Sequence, residues 1–257
     1  MQRTLMRGEL WRTSAPAPPL LFPLKGRFLE FPGLITIKPD QADLVDAAAR
    51  IIGESFLEEC WTSTYLSAIG GDEAFDRKQE VSRAMIREEV VGGAPYGCAF
   101  ILPDQAGAAM GFLGSEMTVS GTTWPAIEEE AHARVAKMLT PDEEAKLDAR
   151  AAQMEPISYF GWGSEEAADM GYDDYIYFAA WAVDASKRGS GAFRRLTSPF
   201  FDYADQQGIP VFLECYADHL VSLYEHVGFE TFRVFEDPAF DVKQVCMVRH
   251  PKGGDER

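Results

Sequence analysis

From residue 34 the chain opens with LITIKP, an alternation of apolar and polar positions with the period of a short strand. In DQADLVDAAARIIGESF the period lengthens. Leu44, Ala47, Ala48 and Ile51 share one helical face, which predicts a helix with Asp40 as its N-cap. The stretches FLEECWTSTYLSAI and AFDRKQEVSRAMIREEV also read as helical. A Gly92-Gly93 break follows them, and then YGCAFIL and AAMGFLGSEM flank PDQAG in the pattern of a hairpin. From 115 to about 171 the texture changes to an acidic helical insertion. Its segments WPAIEEEAHARVAKML and TPDEEAKLDARAAQM predict exposed helices, the second opened by a capping box of Thr140 and Glu143 with Pro141 in the first turn.

After the insertion comes YIYFAAWAV, too dense in aromatic and small apolar residues for a one-sided strand; it predicts a central strand buried on both faces. The remainder reads as a glycine loop, a helix over 191–207, the apolar strand VFLECY, a helix over 219–226, and the closing strands FETFRVF and KQVCMVRH. These elements make one α/β domain over 36–250. A proline-rich arm over 1–35 is expected to lie over it, and a disordered tail over 251–257 to follow it.

Composition narrows the function. The chain has 257 residues, 46% of them hydrophobic and 25% charged, the ordinary globular range, with a net charge of -17. So acidic a surface argues against general nucleic-acid binding, which needs cations to displace the counterions of phosphates. No apolar run approaches membrane-spanning length and no signal peptide is recognisable, so no membrane partner is expected. Cys60, Cys98, Cys215 and Cys246 are scattered, with no CxxC pair and no adjacent histidine, and read as reduced core thiols of a cytoplasmic protein. His132, His219, His226 and His250 have no ligand spacing, and no metal is implied.

Against this acidic background DASKRGSGAFRRL stands out. Between Asp184 and Leu196 it carries Lys187, Arg188, Arg194 and Arg195, two glycines and no acid. The stretch follows the central strand and begins a helix with Phe193, Leu196, Thr197, Phe200, Phe201 and Ala204 on its apolar face. Cations at a helix N-terminus oppose the helix dipole, unless an anion sits between them. A phosphate cradled by backbone amides resolves the conflict, with a plain connecting turn as the competing reading. A Walker loop is absent. A dinucleotide fingerprint is weak, because Arg194 stands where the third glycine belongs, although Glu214 in the next strand sits where a ribose-binding acid would.

Over 34–250 in element order, and most closely over 175–229, the chain resembles the GNAT superfamily of acyl-CoA-dependent N-acyltransferases. The family's loop Q/R-x-x-G-x-G/A is matched from Arg188 through Gly189 and Ser190 to Gly191; Ala192 follows, and Phe193 stands at the last small position. LECYADHLVSLYEHVGFE resembles the family's strand–helix–strand segment, with Leu223, Tyr224, Glu225, Gly228, Phe229 and Glu230 at its motif positions. The resemblance implies a central mixed, mostly antiparallel sheet with helices on both faces, and acetyl-CoA as co-substrate between two splayed strands. It further implies that pyrophosphate meets the amides from Arg188 to Phe193, that pantetheine pairs with the strand near Trp181, Ala182 and Val183, and that Tyr224 protonates the leaving thiolate.

The sequence departs from the family at three points. The ring of Phe193 has to turn into the core, Ala217 replaces a frequent Asn, and Pro199 should kink the cofactor helix. Tyr224 also falls on an apolar stripe with Leu220, Leu223 and Val227, so simple packing competes with catalysis. Glu116, Asp173, Asp174, Tyr175, Tyr177 and Glu214 are all candidate bases, and none stands out; Cys215 reads as a buried strand thiol rather than a nucleophile. The acidic insertion suits a small cationic amine such as an amino sugar or a polyamine, although such runs are often solvated faces. Trp124, Trp162 and Tyr159 either line a pocket or pack in the core. The expectation is an acetyl-CoA-dependent N-acetyltransferase acting by direct attack in a ternary complex. The alternatives are an inactive acyl-CoA-binding sensor and, more weakly, a nicotinamide-binding oxidoreductase; a homodimer is left open.

Overall fold

The computed structural model describes residues 30–70, 74–160 and 162–253. Most of the expected arm and the end of the expected tail lie outside these residues. The strands are β1 (Ile35–Thr36), β2 (Ala99–Ile101), β3 (Gly107–Leu113), β4 (Ile176–Val183), β5 (Val211–Cys215), β6 (Glu230–Glu236) and β7 (Lys243–Arg249). They form one sheet in the order β1-β2-β3-β4-β5-β7-β6. Every neighbouring pair is antiparallel except β4 and β5, which run parallel.

Helices cover both faces. Among the described residues they are α1 (Ala42–Phe56), α2 (Cys60–Leu66), α3 (Phe75–Gly93), α4 (Gly114–Ser120), α5 (Trp124–Val135), α6 (Pro141–Met154), α7 (Gly163–Asp169), α8 (Ala192–Gln207) and α9 (Asp218–His226). On one face α8 buries Leu196, Phe200 and Ala204 against Phe100, Phe178 and Leu213. On the other, Val45, Ile52, Val90 and Trp124 from α1, α3 and α5 cover Ile101, Ala108 and Met110. Each of these Val, Leu, Ile, Phe and Met side chains contributes roughly 1.5–3 kcal/mol relative to exposure.

Several local expectations change. Gln41, not Asp40, precedes α1, and its side chain accepts the N–H of Lys38 instead of capping the helix. The helical reading of FLEECWTSTYLSAI divides, because the carboxylate of Glu59 takes the N–H groups of Trp61 and Thr62 and starts α2 afresh. Gly92 and Gly93 do not break α3 but end it, where α5 crosses closely. A Cβ at Gly92 would lie 2.8 Å from Ile127 Cγ2. Nor is α5 an exposed appendage, since it buries Trp124, Ile127, Ala131 and Val135. The Thr140–Glu143 capping box is present at the start of α6. Pro199 lies inside α8, which is assigned without interruption from Ala192 to Gln207.

The expected central strand is β4, flanked by β3 and β5, but it is not uniform. Its first half is buried, whereas Trp181, Ala182 and Val183 are only partly covered. Its register with β3 also slips between Met110↔Ala180 and Gly111↔Phe178, leaving Ala179 as a one-residue bulge.

Candidate functional site

The parallel pair β4–β5 is joined only at Ile176↔Val211 and Tyr177↔Phe212. Past that point β4 runs on to Val183, held by β3 alone, and β5 runs on to Cys215, held by β7. A gap therefore opens in the middle of the sheet. Backbone groups along it need a partner from elsewhere, as a strand-like ligand would provide. Trp181, Ala182 and Val183 sit on its β4 side.

The glycine loop leaves the end of β4. Asp184 caps a short turn through Ser186 N (2.9 Å) and Ser186 Oγ (2.6 Å), and its other carboxylate oxygen pairs with Arg50 of α1 at 2.8 Å. These contacts hold its carboxyl down at about 2. Gly189 and Gly191 have φ of +78° and +79°, where a Cβ would meet no atom within 4 Å, so the backbone conformation alone calls for glycine. Gly191 offers no side-chain cap to α8, and among the described residues no group accepts the N–H of Ala192, Phe193 or Arg194. Around these amides Arg188 and Arg195 make exposed pairs with Glu58 (2.7 Å) and Asp104 (2.8 Å), while Lys187 and Arg194 form no ion pair among the described residues. Exposed pairs are worth ~0–1 kcal/mol, so a multivalent phosphate can displace them.

On the α8 face of the gap, Tyr224 of α9 is buried and its hydroxyl oxygen accepts the indole N–H of Trp181 at 2.7 Å. Burial raises the phenol's pKa, and the indole hydrogen bond works in the opposite direction. Phe193 is half-buried. Its ring does not disappear into the core but packs at the core's edge, 5.5 Å from the Trp181 ring and 6.4 Å from Tyr224. Ala217 precedes α9 and makes only backbone contacts there; Asp218 beside it pairs with Lys243.

On the opposite face the Tyr177 hydroxyl donates to Glu214 Oε2 at 2.5 Å. Burial pushes the Glu214 carboxyl up to about 8 against that hydrogen bond, with the charge of Glu128 adding to the rise. Glu128 accepts the indole N–H of Trp124 at 2.8 Å and in turn raises Glu89, whose larger cause is burial. Glu89, Glu128 and Glu214 each retain some accessible surface. Beside them Trp61 stacks on Tyr65 with ring centres 5.3 Å apart, and it approaches Phe160 at 5.8 Å and Tyr216 at 6.4 Å.

The other candidate bases fall away from the gap. Asp174 accepts from Ser115 N, Ser115 Oγ and Tyr175 N, which ties α4 to the start of β4. Glu116 stands beside it on α4, Asp173 is exposed, and the Tyr175 ring packs against Gly114 and Gly163. Cys215 is buried toward α8 with its thiol pushed up to about 12, which makes it a poor nucleophile. Trp124 and Trp162 pack in cores, and Tyr159 exchanges backbone hydrogen bonds with the Gln244 amide. Among the described residues no three His, Cys, Asp or Glu side chains could hold a metal ion, and no helix is long and apolar enough to cross a membrane.

Sequence reasoning passed over Glu89 and Glu128, although a signal was available. Glu128 falls within the apolar stripe Trp124, Ile127, Ala131, Val135, and Glu89 within Ser82, Ile86, Val90, Gly93. A carboxylate on a buried stripe is a stronger pointer than an acidic run.

No family model matches the chain. It is 36% identical over 58 residues to a Schizosaccharomyces pombe protein described as an uncharacterized N-acetyltransferase; the match covers 22% of this chain and 24% of that protein. Among solved structures it is similar to arylalkylamine N-acetyltransferase 2 from Aedes aegypti, at 14% identity and a TM-score of 0.46, covering 84% of this chain and 97% of that one. It is also similar to Drosophila melanogaster polyamine N-acetyltransferase, which forms N-acetylagmatine, at 12% identity and a TM-score of 0.44, covering 84% and 98%.

Proposed function

We propose that the chain transfers an acetyl group from acetyl-CoA to the amine of a small cationic substrate, by direct attack in a ternary complex. The observation that carries this reading is the β4–β5 gap, with an open helix N-terminus ringed by cations beside it and a proton-handling pair on each face. Acetyl-CoA lies along β4 at Trp181, Ala182 and Val183, with its pyrophosphate on the amides of the 188–193 loop. Its negative charges account for the basic stretch in a protein of net charge -17.

The thioester then stands in the gap with Glu214 on one side and Tyr224 on the other. An ammonium substrate is drawn in by Glu128, and by Glu214 once it is ionised, and loses a proton to Glu214. A carboxylate poised near 8 suits a base working at neutral to alkaline pH. The amine nitrogen attacks the carbonyl carbon, its second proton passes to solvent as the amide forms, and the C–S bond breaks. Tyr224 gives its proton to the leaving sulfur; burial raises the phenol's pKa and works against this transfer, and the Trp181 hydrogen bond works for it. The aromatic group of Trp61, Tyr65, Phe160 and Tyr216 offers the rest of the substrate an apolar and cation–π surface.

The test is calorimetry with acetyl-CoA on the wild type and Arg188→Ala, followed by thiol release on a panel of amines. Micromolar binding weakened severalfold in the variant, and turnover strongly lowered yet still measurable in Tyr224→Phe with binding intact, is the expected result. Binding that persists without turnover on any amine selects the acyl-CoA sensor. The half-buried Phe193 beside Trp181 and Tyr224 favours that second reading.

A further inference from the structure

Proton delivery to the thiolate requires a phenol whose O–H points at the sulfur and whose oxygen can bear a negative charge at the moment of transfer. Resting on the transferase reading above, we propose that Trp181 is the positioning residue that makes Tyr224 such a donor.

A tyrosine hydroxyl has one proton and two lone pairs, whereas an indole N–H only donates. Trp181 Nε1 therefore occupies an acceptor site on Tyr224 Oη at 2.7 Å and cannot receive the phenol's proton. Among the described residues no other group accepts from Tyr224, so its O–H is left to turn toward the gap. The indole is itself held in place. Phe178 lies 4.3 Å from it between ring centres, Phe193 5.5 Å, and Phe201 and Phe229 6.3 Å each. The pair links β4 to α9 across the opening of the sheet, so the strand that lines the cofactor side also aims the acid.

The same bond supports the product of the step. When the C–S bond breaks, the sulfur takes the Tyr224 proton and Oη becomes a phenolate; the indole N–H then donates to a full negative charge in a site with little water. Glu214 meanwhile holds the first proton lost by the ammonium, and the second leaves the nitrogen for solvent as the amide forms. Solvent reprotonates Tyr224 and takes the proton from Glu214 as products leave, so each ammonium acetylated releases one proton.

The experiment is a double-mutant cycle of Trp181→Phe and Tyr224→Phe, read as kcat and as KM for acetyl-CoA. Phe keeps the ring contacts and removes only the N–H. Trp181→Phe should lower kcat about tenfold, the cost of losing one charge-assisted hydrogen bond, with KM unchanged. In the Tyr224→Phe background it should lower kcat no further. An equal loss in both backgrounds, or an unchanged kcat in Trp181→Phe, overturns the proposal. Calorimetry with CoA and desulfo-CoA gives a second readout independent of turnover. The wild type should prefer the thiol, and each single variant should lose the same share of that preference; an undiminished preference in Trp181→Phe also overturns it. Failure of every amine to turn over, with this preference present and shared, sinks the transferase reading while leaving the pair standing.

Discussion

Glu214→Gln isolates the proton held by the carboxyl that Tyr177 touches. In the folded chain this carboxyl is carried from 4.5 to about 8, chiefly by burial. The folded state therefore keeps a proton on Glu214 over a pH range in which the unfolded chain has released it. The stabilisation is fully present below pH 4.5, falls as pH rises from 4.5 to 8, and is gone above that. At full weight the loss is roughly 1.4 kcal/mol per pH unit and ~5 kcal/mol in all. Glu214 keeps some contact with water, and partial screening brings the figure to about 2–3 kcal/mol. Gln has a similar shape and does not titrate. Its stability relative to the wild type should stay level up to pH 4.5, climb by about 2–3 kcal/mol to pH 8, and then level off. In a chain of this size that is a gain of roughly 5–10 °C in Tm. Paired thermal melts between pH 5 and 9 measure it directly, without substrate. In turnover assays the wild-type kcat/KM should rise through a pH near 8, and the Gln variant should be slower by about 100-fold or more. A stability difference that stays constant across this range would refute the reasoning, because Glu214 would then be ionised in both states.

Two further predictions concern the phosphate loop. Gly191→Ala forces a side chain into a φ of +79° with open space around the Cβ, so the cost is backbone strain alone, about 1–2 kcal/mol. Thermal melting should fall by a few degrees, and acetyl-CoA affinity measured by calorimetry should weaken as the amides of α8 tilt. Asp184→Asn removes a carboxylate held down at about 2 by Ser186 and Arg50. The wild type should be the more stable protein at neutral pH, and its advantage should disappear as pH falls from 3.8 through about 2, as acid-titration melts would show. Because Asp184 anchors the loop to α1, the variant should also raise KM for acetyl-CoA.

The glycine loop and the helix start behind it were legible in the sequence because their signals are local. A strand, two glycines in a left-handed conformation and a helix start occupy consecutive residues, and the apolar face of α8 follows from spacing alone. The place of Tyr224 on a helix after β5 was legible through its motif. The carboxylate side of the gap was not, since its side chains come from α3, α5, β4 and β5, far apart in the chain, and meet only through packing. IEEEAHA read only as an acidic run, either attracting a cationic amine or solvated, because charge was counted instead of helical phase. Within it Glu128 lies on the buried stripe while Glu130 is exposed. Glu59 hid for another reason: an N-cap within a stretch of continuous helical composition is visible only when the chain is seen to turn.

The bulge at Ala179 explains how one strand serves both faces of the gap. In a regular strand, residues four apart point the same way, so Tyr177 and Trp181 would share a face. With Ala179 skipped in the register to β3, Tyr177 reaches Glu214 among Phe212 and Cys246, while Trp181 joins Phe178 on the α8 side and reaches Tyr224. On β5 no bulge intervenes, and plain alternation puts Glu214 and Cys215 on opposite faces, in a register fixed by Glu214↔Cys246 and Cys215↔Val245. A one-residue slip there would exchange the carboxylate for the thiol. The Tyr177–Glu214 and Trp181–Tyr224 pairs therefore stand on opposite sides of the gap because an irregular strand faces a regular one. The two strands separate after Phe212, where the proposed reaction seats its thioester. An alternation rule applied to YIYFAAWAV puts both aromatic residues on one side, so this arrangement depends on the single residue that breaks the pattern.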